Sequence, residues 1–165
     1  MSLYQVAANL GSILIERGLT ICTAESCTGG LIANAITDIP GSSRYFVGAI
    51  VAYSNDVKSS TLGVPASYLH TFGAVSAPVA LAMARTARLL LGADIAISTT
   101  GIAGPTGATS EKPIGLTYIA LVAPGHASCH RYLWPHDRLR NKTASATKAL
   151  DLTISLLAPK KNIKV

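Results

Sequence analysis

Residues 19–30 read Leu19-Thr20-Ile21-Cys22-Thr23-Ala24-Glu25-Ser26-Cys27-Thr28-Gly29-Gly30. Leu19–Thr23 is a short β-branched, apolar run and predicts a strand. Leu31, Ile32, Ala35, Ile36 and Ile39 follow at helical spacing, and Pro40-Gly41 ends that helix, predicted over Gly29–Ile39. Between the two lies a polar turn with paired glycines. Such a strand–turn–helix junction points backbone N–H groups into one small space, where they bind an anion or hold an oxyanion beside a nucleophile. Ser26 sits at the bend, with its hydroxyl offered at the sheet edge. Junctions of this kind are rich in Ser, Thr and Gly for purely structural reasons, so the same letters also suit a plain helix cap.

Outward from this unit the elements alternate. Leu3–Arg17 places Val6, Leu10, Ile13 and Leu14 on one helical face, with Gly18 as its stop. Tyr45–Tyr53 reads as a buried strand, and Ser54 caps a short helix through Lys58 that stops at Gly63. Pro65–Phe72 is a further short helix. Ser76 caps a long one with Pro78 in its first turn and Gly92 at its end. Asp94–Ser98 is a strand entering a long loop, Thr100–Pro113. Ile114–Val122 and Ser128–Trp134 form a hairpin about Pro124-Gly125. Arg138–Leu157 is a final helix with Leu139, Ala146, Leu150, Ile154 and Leu157 along one side. Alternation followed by a hairpin predicts one α/β/α layered domain with a mixed sheet over residues 1–165, with 159–165 as a flexible basic tail.

The chain is 49% hydrophobic and only 13% charged, which predicts a compact core and apolar surface buried between subunits of a homo-oligomer. No apolar run reaches the roughly 18–20 residues of a membrane span, and Met1–Gly18 lacks the pattern of a secretory signal. Cys22, Cys27 and Cys129 show no metal-ligand spacing, so a reduced, cytoplasmic setting and no metal are expected. The net charge of +6 invites a nucleic-acid reading, but no helix carries a basic stripe and aromatic residues are scarce at 5%. A small phosphorylated substrate suits the positive field equally well, and no direct nucleic-acid partner is expected.

The motif Ala24-Glu25-Ser26-Cys27-Thr28-Gly29-Gly30 resembles the signature of the CinA C-terminal domain family, the nicotinamide-nucleotide amidohydrolases. Pro40-Gly41-Ser42-Ser43, Ala52-Tyr53-Ser54-Asn55 with Lys58, Gly73-Ala74-Val75-Ser76, Thr100-Gly101-Ile102-Ala103-Gly104-Pro105, Lys112-Pro113-Ile114-Gly115 and Asp137-Arg138 continue the resemblance in order. It departs from the family where Thr106 and Ala108 interrupt a glycine run and where His136 stands in place of a common glycine. The resemblance implies a stand-alone form of the domain that hydrolyses the carboxamide of nicotinamide mononucleotide, without a cofactor.

It also implies a catalytic set of Ser26, Tyr53 and Lys58. A serine alcohol needs a base, and no Ser-His-Asp pattern is present, so Lys58 is the candidate, with Tyr53 as proton relay or donor to the leaving amine. Read without the family, Tyr53 also suits a strand-end core residue and Lys58 a solvated helix residue. The turn amides of Cys27, Thr28, Gly29 and Gly30 are the candidate oxyanion donors. Cys27 is the rival nucleophile, disfavoured because no histidine is placed by sequence to activate it. Glu25, Gly101, Ala103, Gly104 and Arg138 are the candidate substrate-binding residues, Arg138 as a bidentate partner for phosphate or as a surface residue held by Asp137. Two other readings remain: a nucleotide-binding module without turnover, and an interaction domain serving DNA uptake or repair.

Overall fold

A computed structural model describes residues 1–158. The expected basic tail, 159–165, lies outside the described residues. The element order is α1 (Leu3–Arg17), β1 (Ile21–Glu25), α2 (Leu31–Thr37), a 3-10 turn at Ser42–Arg44, β2 (Phe46–Val51), α3 (Asn55–Ser60), α4 (Ala66–Phe72), α5 (Ala77–Leu91), β3 (Ile95–Gly101), β4 (Leu116–Ala123), β5 (His126–Leu133) and α6 (Arg138–Leu157). The sheet order is β2-β1-β3-β4-β5. β1 runs parallel to both β2 and β3, whereas β3–β4 and β4–β5 are antiparallel, giving the expected mixed sheet.

Alternation along the strands splits the core into two layers. Ile21, Ile95, Ile97, Ile119 and Leu121 pack against α1, α2 and α6 on one face. Cys22, Ala24, Ala96 and Ala120 face Val79, Ala80, Met83, Ala84 and Ala87 of α5 on the other. Small side chains on both sides of that second layer allow close approach, and Ser98 Oγ donates to the Ala80 carbonyl at 2.6 Å. The connection leaving β1 through α2 thus covers one face, and the connection leaving β2 through α5 covers the other. The C-terminal end of β1 is therefore a switch point, where a crevice opens in α/β sheets. Ser26 is the first residue beyond it.

Several boundaries move for identifiable reasons. The first strand starts two residues later than expected because Leu19 N–H bonds the Leu14 carbonyl and Thr20 is held by Asp94, whose Oδ2 accepts from Thr20 N and Oγ1 at 2.8 Å each. β3 extends past Ser98 because Thr99 and Thr100 satisfy their hydroxyls inside the protein, Thr99 with Thr28 Oγ1 and Thr100 on the Ala74 carbonyl. Ser76 occupies the cap position of α5, yet its hydroxyl donates to the Gly73 carbonyl instead of accepting from the helix. The strand expected to be buried, β2, is an edge strand, and Val47 and Val51 remain about half exposed. On α6 the inward side is Asn141, Ser145, Ala146, Ala149, Leu150, Thr153 and Leu157, while Leu139 points to solvent. Among the described residues, no helix is long and apolar enough to cross a membrane.

Candidate active site

Ser26 opens the turn after β1, and its N–H is held by the Thr99 carbonyl of the neighbouring strand at 2.9 Å. The turn closes with Gly29 N–H on the Ser26 carbonyl at 3.0 Å, in the left-handed backbone region at φ +63°. Gly30, at φ +91°, starts α2. α2 has no side chain at its own cap position able to accept from its first amides. Glu25 supplies that acceptor from the end of β1: its two oxygens accept from the amides of Gly30 (3.0 Å), Ile32 (3.1 Å) and Ala33 (2.8 Å) and from the hydroxyls of Thr28 (2.7 Å) and Thr23 (3.2 Å).

This corrects two expectations. Glu25 is fully buried under the turn, pairs with no lysine, and offers nothing to a substrate. The amides of Gly29 and Gly30 are spent on Ser26 and Glu25, so of the four proposed oxyanion donors only those of Cys27 and Thr28 have no protein acceptor among the described hydrogen bonds. Glu25→Ala would leave three amides at the start of α2 without their acceptor, that of Ile32 buried and those of Gly30 and Ala33 part-buried. Each orphaned donor costs about 1–3 kcal/mol, so we expect about 3 kcal/mol or more to be lost from the unfolding free energy in urea titration. A loss below about 1 kcal/mol would show that water replaces the carboxylate.

Lys58 is on α3, one turn in from the Ser54 cap, whose Oγ accepts from Val57 N at 3.2 Å. The side chain turns back under the end of β2 and is only 2% exposed. Its Nζ lies 3.0 Å from Ser26 Oγ, 2.9 Å from the Ala52 carbonyl and 3.2 Å from the Tyr53 carbonyl. No carboxylate pairs with it among the described residues. Desolvation lowers its pKa from the ordinary lysine value, opposed in part by neighbouring Cys27. Lys58 is therefore not a solvated helix residue, and Ser26 is not the cap of α2.

Tyr53 is 60% exposed and is no core residue. Its hydroxyl accepts from Arg138 Nη2 at 2.9 Å and makes no hydrogen bond with Ser26 or Lys58, so the expected relay is absent from this arrangement. What Tyr53 lends to the Ser26–Lys58 pair is its backbone carbonyl. Cys27 points to the same pocket, but burial pushes its thiol up to about 12, far from the range of a reactive thiolate.

The pocket has a volume of about 320 Å³ and is lined by Ser26, Cys27, Tyr53, Lys58, the Thr100–Gly104 segment and Arg138. A larger groove of about 560 Å³ runs along α1 and α6, away from Ser26. Gly101 sits where a Cβ would come within 2.5 Å of the Leu116 carbonyl, and at Gly115 a Cβ would run into the Trp134 carbonyl. Glycine at both points lets the loop base lie flat against the hairpin. Arg138 Nη1 donates to the Gly104 carbonyl at 2.7 Å, while Asp137 caps α6 and pairs with Arg140, so Arg138 is not held by Asp137.

Asn141 is the residue the sequence reading missed. It is 1% exposed, and its Nδ2 donates to the carbonyls of Ala103 and His136 while Oδ1 accepts from His136 N. It pins the loop that walls the pocket. The available signal was a polar residue three positions after Arg138 on the same helix, which a search for apolar periodicity passes over.

Comparison with known proteins agrees with this architecture. A CinA-like protein of Geobacter metallireducens is 52% identical over 136 residues, 82% of this chain, and the chain spans about a third of the length of the curated relatives it matches. The crystal structure of competence/damage inducible protein CihA from Agrobacterium tumefaciens superposes with a TM-score of 0.92 at 40% identity, covering 94% of this chain and 96% of that one. That of competence damage-inducible protein A from Klebsiella pneumoniae gives 0.94 at 30% identity, covering 98% and 100%. The family model described as the CinA C-terminal domain matches residues 3–157, and the chain belongs to that family.

Proposed function

We propose that this domain hydrolyses the carboxamide of nicotinamide mononucleotide, releasing ammonia, with Ser26 as nucleophile and Lys58 as its base. The observation that carries the reading is the 3.0 Å contact between Lys58 Nζ and Ser26 Oγ at the floor of the pocket. A neutral lysine amine has two N–H bonds and one lone pair. With the carbonyls of Ala52 and Tyr53 accepting the two N–H bonds, the remaining direction on nitrogen is the one that faces Ser26. Desolvation favours that neutral form.

In this mechanism Lys58 takes the proton of Ser26 as Oγ bonds to the amide carbon, and the oxyanion forms against the amides of Cys27 and Thr28. The C–N bond then breaks, with Lys58 returning its proton to the departing amine. Water, deprotonated by Lys58, attacks the resulting ester, and Ser26 leaves with the proton restored. Arg138 and the Gly101–Gly104 loop hold the nucleotide, and Tyr53 steadies Arg138. No step calls for a metal or organic cofactor. Ammonia release should be seen with nicotinamide mononucleotide and be far weaker with free nicotinamide, which lacks the ribose phosphate whose binding positions the amide. Tight binding of the mononucleotide without ammonia release would instead favour the nucleotide-binding module.

A further inference from the structure

We propose that Lys142 forms, together with Arg138, a subsite for a phosphate monoester beside the Ser26 turn. The substrate side of this inference rests on the amidase reading above; the anion site itself does not. α6 carries four cations in the described chain: Arg138, Arg140, Lys142 and Lys148. Arg140 pairs with Asp137 and Lys148 with Asp151. Lys142 has no carboxylate within 4.0 Å and no hydrogen-bond partner among the described residues, and neither does Arg138 have a carboxylate. The two unpaired cations are four residues apart, which places them one helical turn apart on one face of α6. Like charges at that spacing repel each other, and an anion between them reverses the sign of the interaction.

That face looks onto the Ser26 turn. Lys142 is half-buried, and its Nζ would lie 3.6 Å from a methyl group built on Gly29. Gly29 is exposed and has no side chain to fill the space beside the ammonium. Arg138 lines the Ser26 pocket, with Nη1 on Gly104 and Nη2 on Tyr53, leaving further guanidinium N–H bonds free. A guanidinium fork held in place by two neutral acceptors, with a compact ammonium one turn away, suits a dianionic phosphate: the fork binds two oxygens and the lysine supplies a point charge. An uncharged ligand would leave both cations facing water.

The test compares wild type, Lys142→Met and Lys142→Arg, with nicotinamide mononucleotide and nicotinamide riboside as the two probes, at constant ionic strength. Methionine keeps the length of the stem and removes the charge. In kinetics, the mononucleotide-to-riboside ratio of kcat/KM should fall about tenfold or more in Lys142→Met and stay within about threefold of wild type in Lys142→Arg. Calorimetric dissociation constants for the same pairs need no turnover. If wild type releases no ammonia, the amidase reading fails, while a binding preference for the mononucleotide that collapses in Lys142→Met still upholds the subsite. A wild-type protein that binds both probes equally, or a preference unchanged in Lys142→Met, overturns it. Thermal melting of each variant without ligand, matching wild type, excludes misfolding as the cause.

Discussion

Ser26→Ala should lower ammonia release from nicotinamide mononucleotide by at least about 10³-fold, while Cys27→Ala stays within about fivefold of wild type. The two side chains are adjacent and line the same pocket, and a thiol is intrinsically the better nucleophile. The position of the base decides between them. Burial penalises a thiolate and pushes the Cys27 thiol up to about 12, so Cys27 needs a base as much as Ser26 does. Lys58 Nζ meanwhile lies on Ser26 Oγ, at 3.0 Å. Steady-state ammonia assays on both folded variants check this. An inactive, folded Cys27→Ala beside an active Ser26→Ala would transfer the nucleophile to the thiol.

Lys58→Met should cost two or more orders of magnitude in kcat/KM, about the range of lost general-base help. Methionine nearly conserves the buried volume, which limits the packing penalty. The wild-type pH profile carries a second signature. The active form is the neutral amine, so kcat/KM rises with pH and levels off above the Lys58 pKa. Desolvation moves that pKa downward from 10.5, so the rise comes at lower pH than free lysine would give. Profiles from pH 6 to 9 at constant ionic strength, on wild type and Lys58→Met, supply the measurement. A flat wild-type profile together with a variant within tenfold of wild type would remove Lys58 from the mechanism.

Both predictions depend on residues that the chain's letters singled out and on contacts those letters left open. Ser26 and Lys58 stand out by type and by motif, and the structure brings them together. Tyr53 stands out in the same way, yet its hydroxyl is turned to Arg138. Glu25 stands by motif among the candidate substrate-binding residues and proves to serve the backbone, because three amides at the start of α2 have no nearer acceptor. Asn141 left almost no trace in the sequence: its value lies wholly in the carbonyls of Ala103 and His136 that happen to converge on it.

The features legible in the chain are those set by neighbours a few residues away. Gly18 and Gly92 end their helices because they take left-handed backbone angles at φ +64° and +63°. Ser54 caps α3 through its own next turn, and Pro124-Gly125 joins β4 to β5. Hydrophobic periodicity adds the face of α1. The remaining features join positions far apart in sequence: Lys58 to Ser26 across 32 residues, Arg138 to Tyr53 across 85. The edge place of β2 is of this kind too, since a strand's burial depends on what covers it rather than on its own letters. So is the depressed basicity of Lys58, because desolvation is a property of the surroundings that folding assembles.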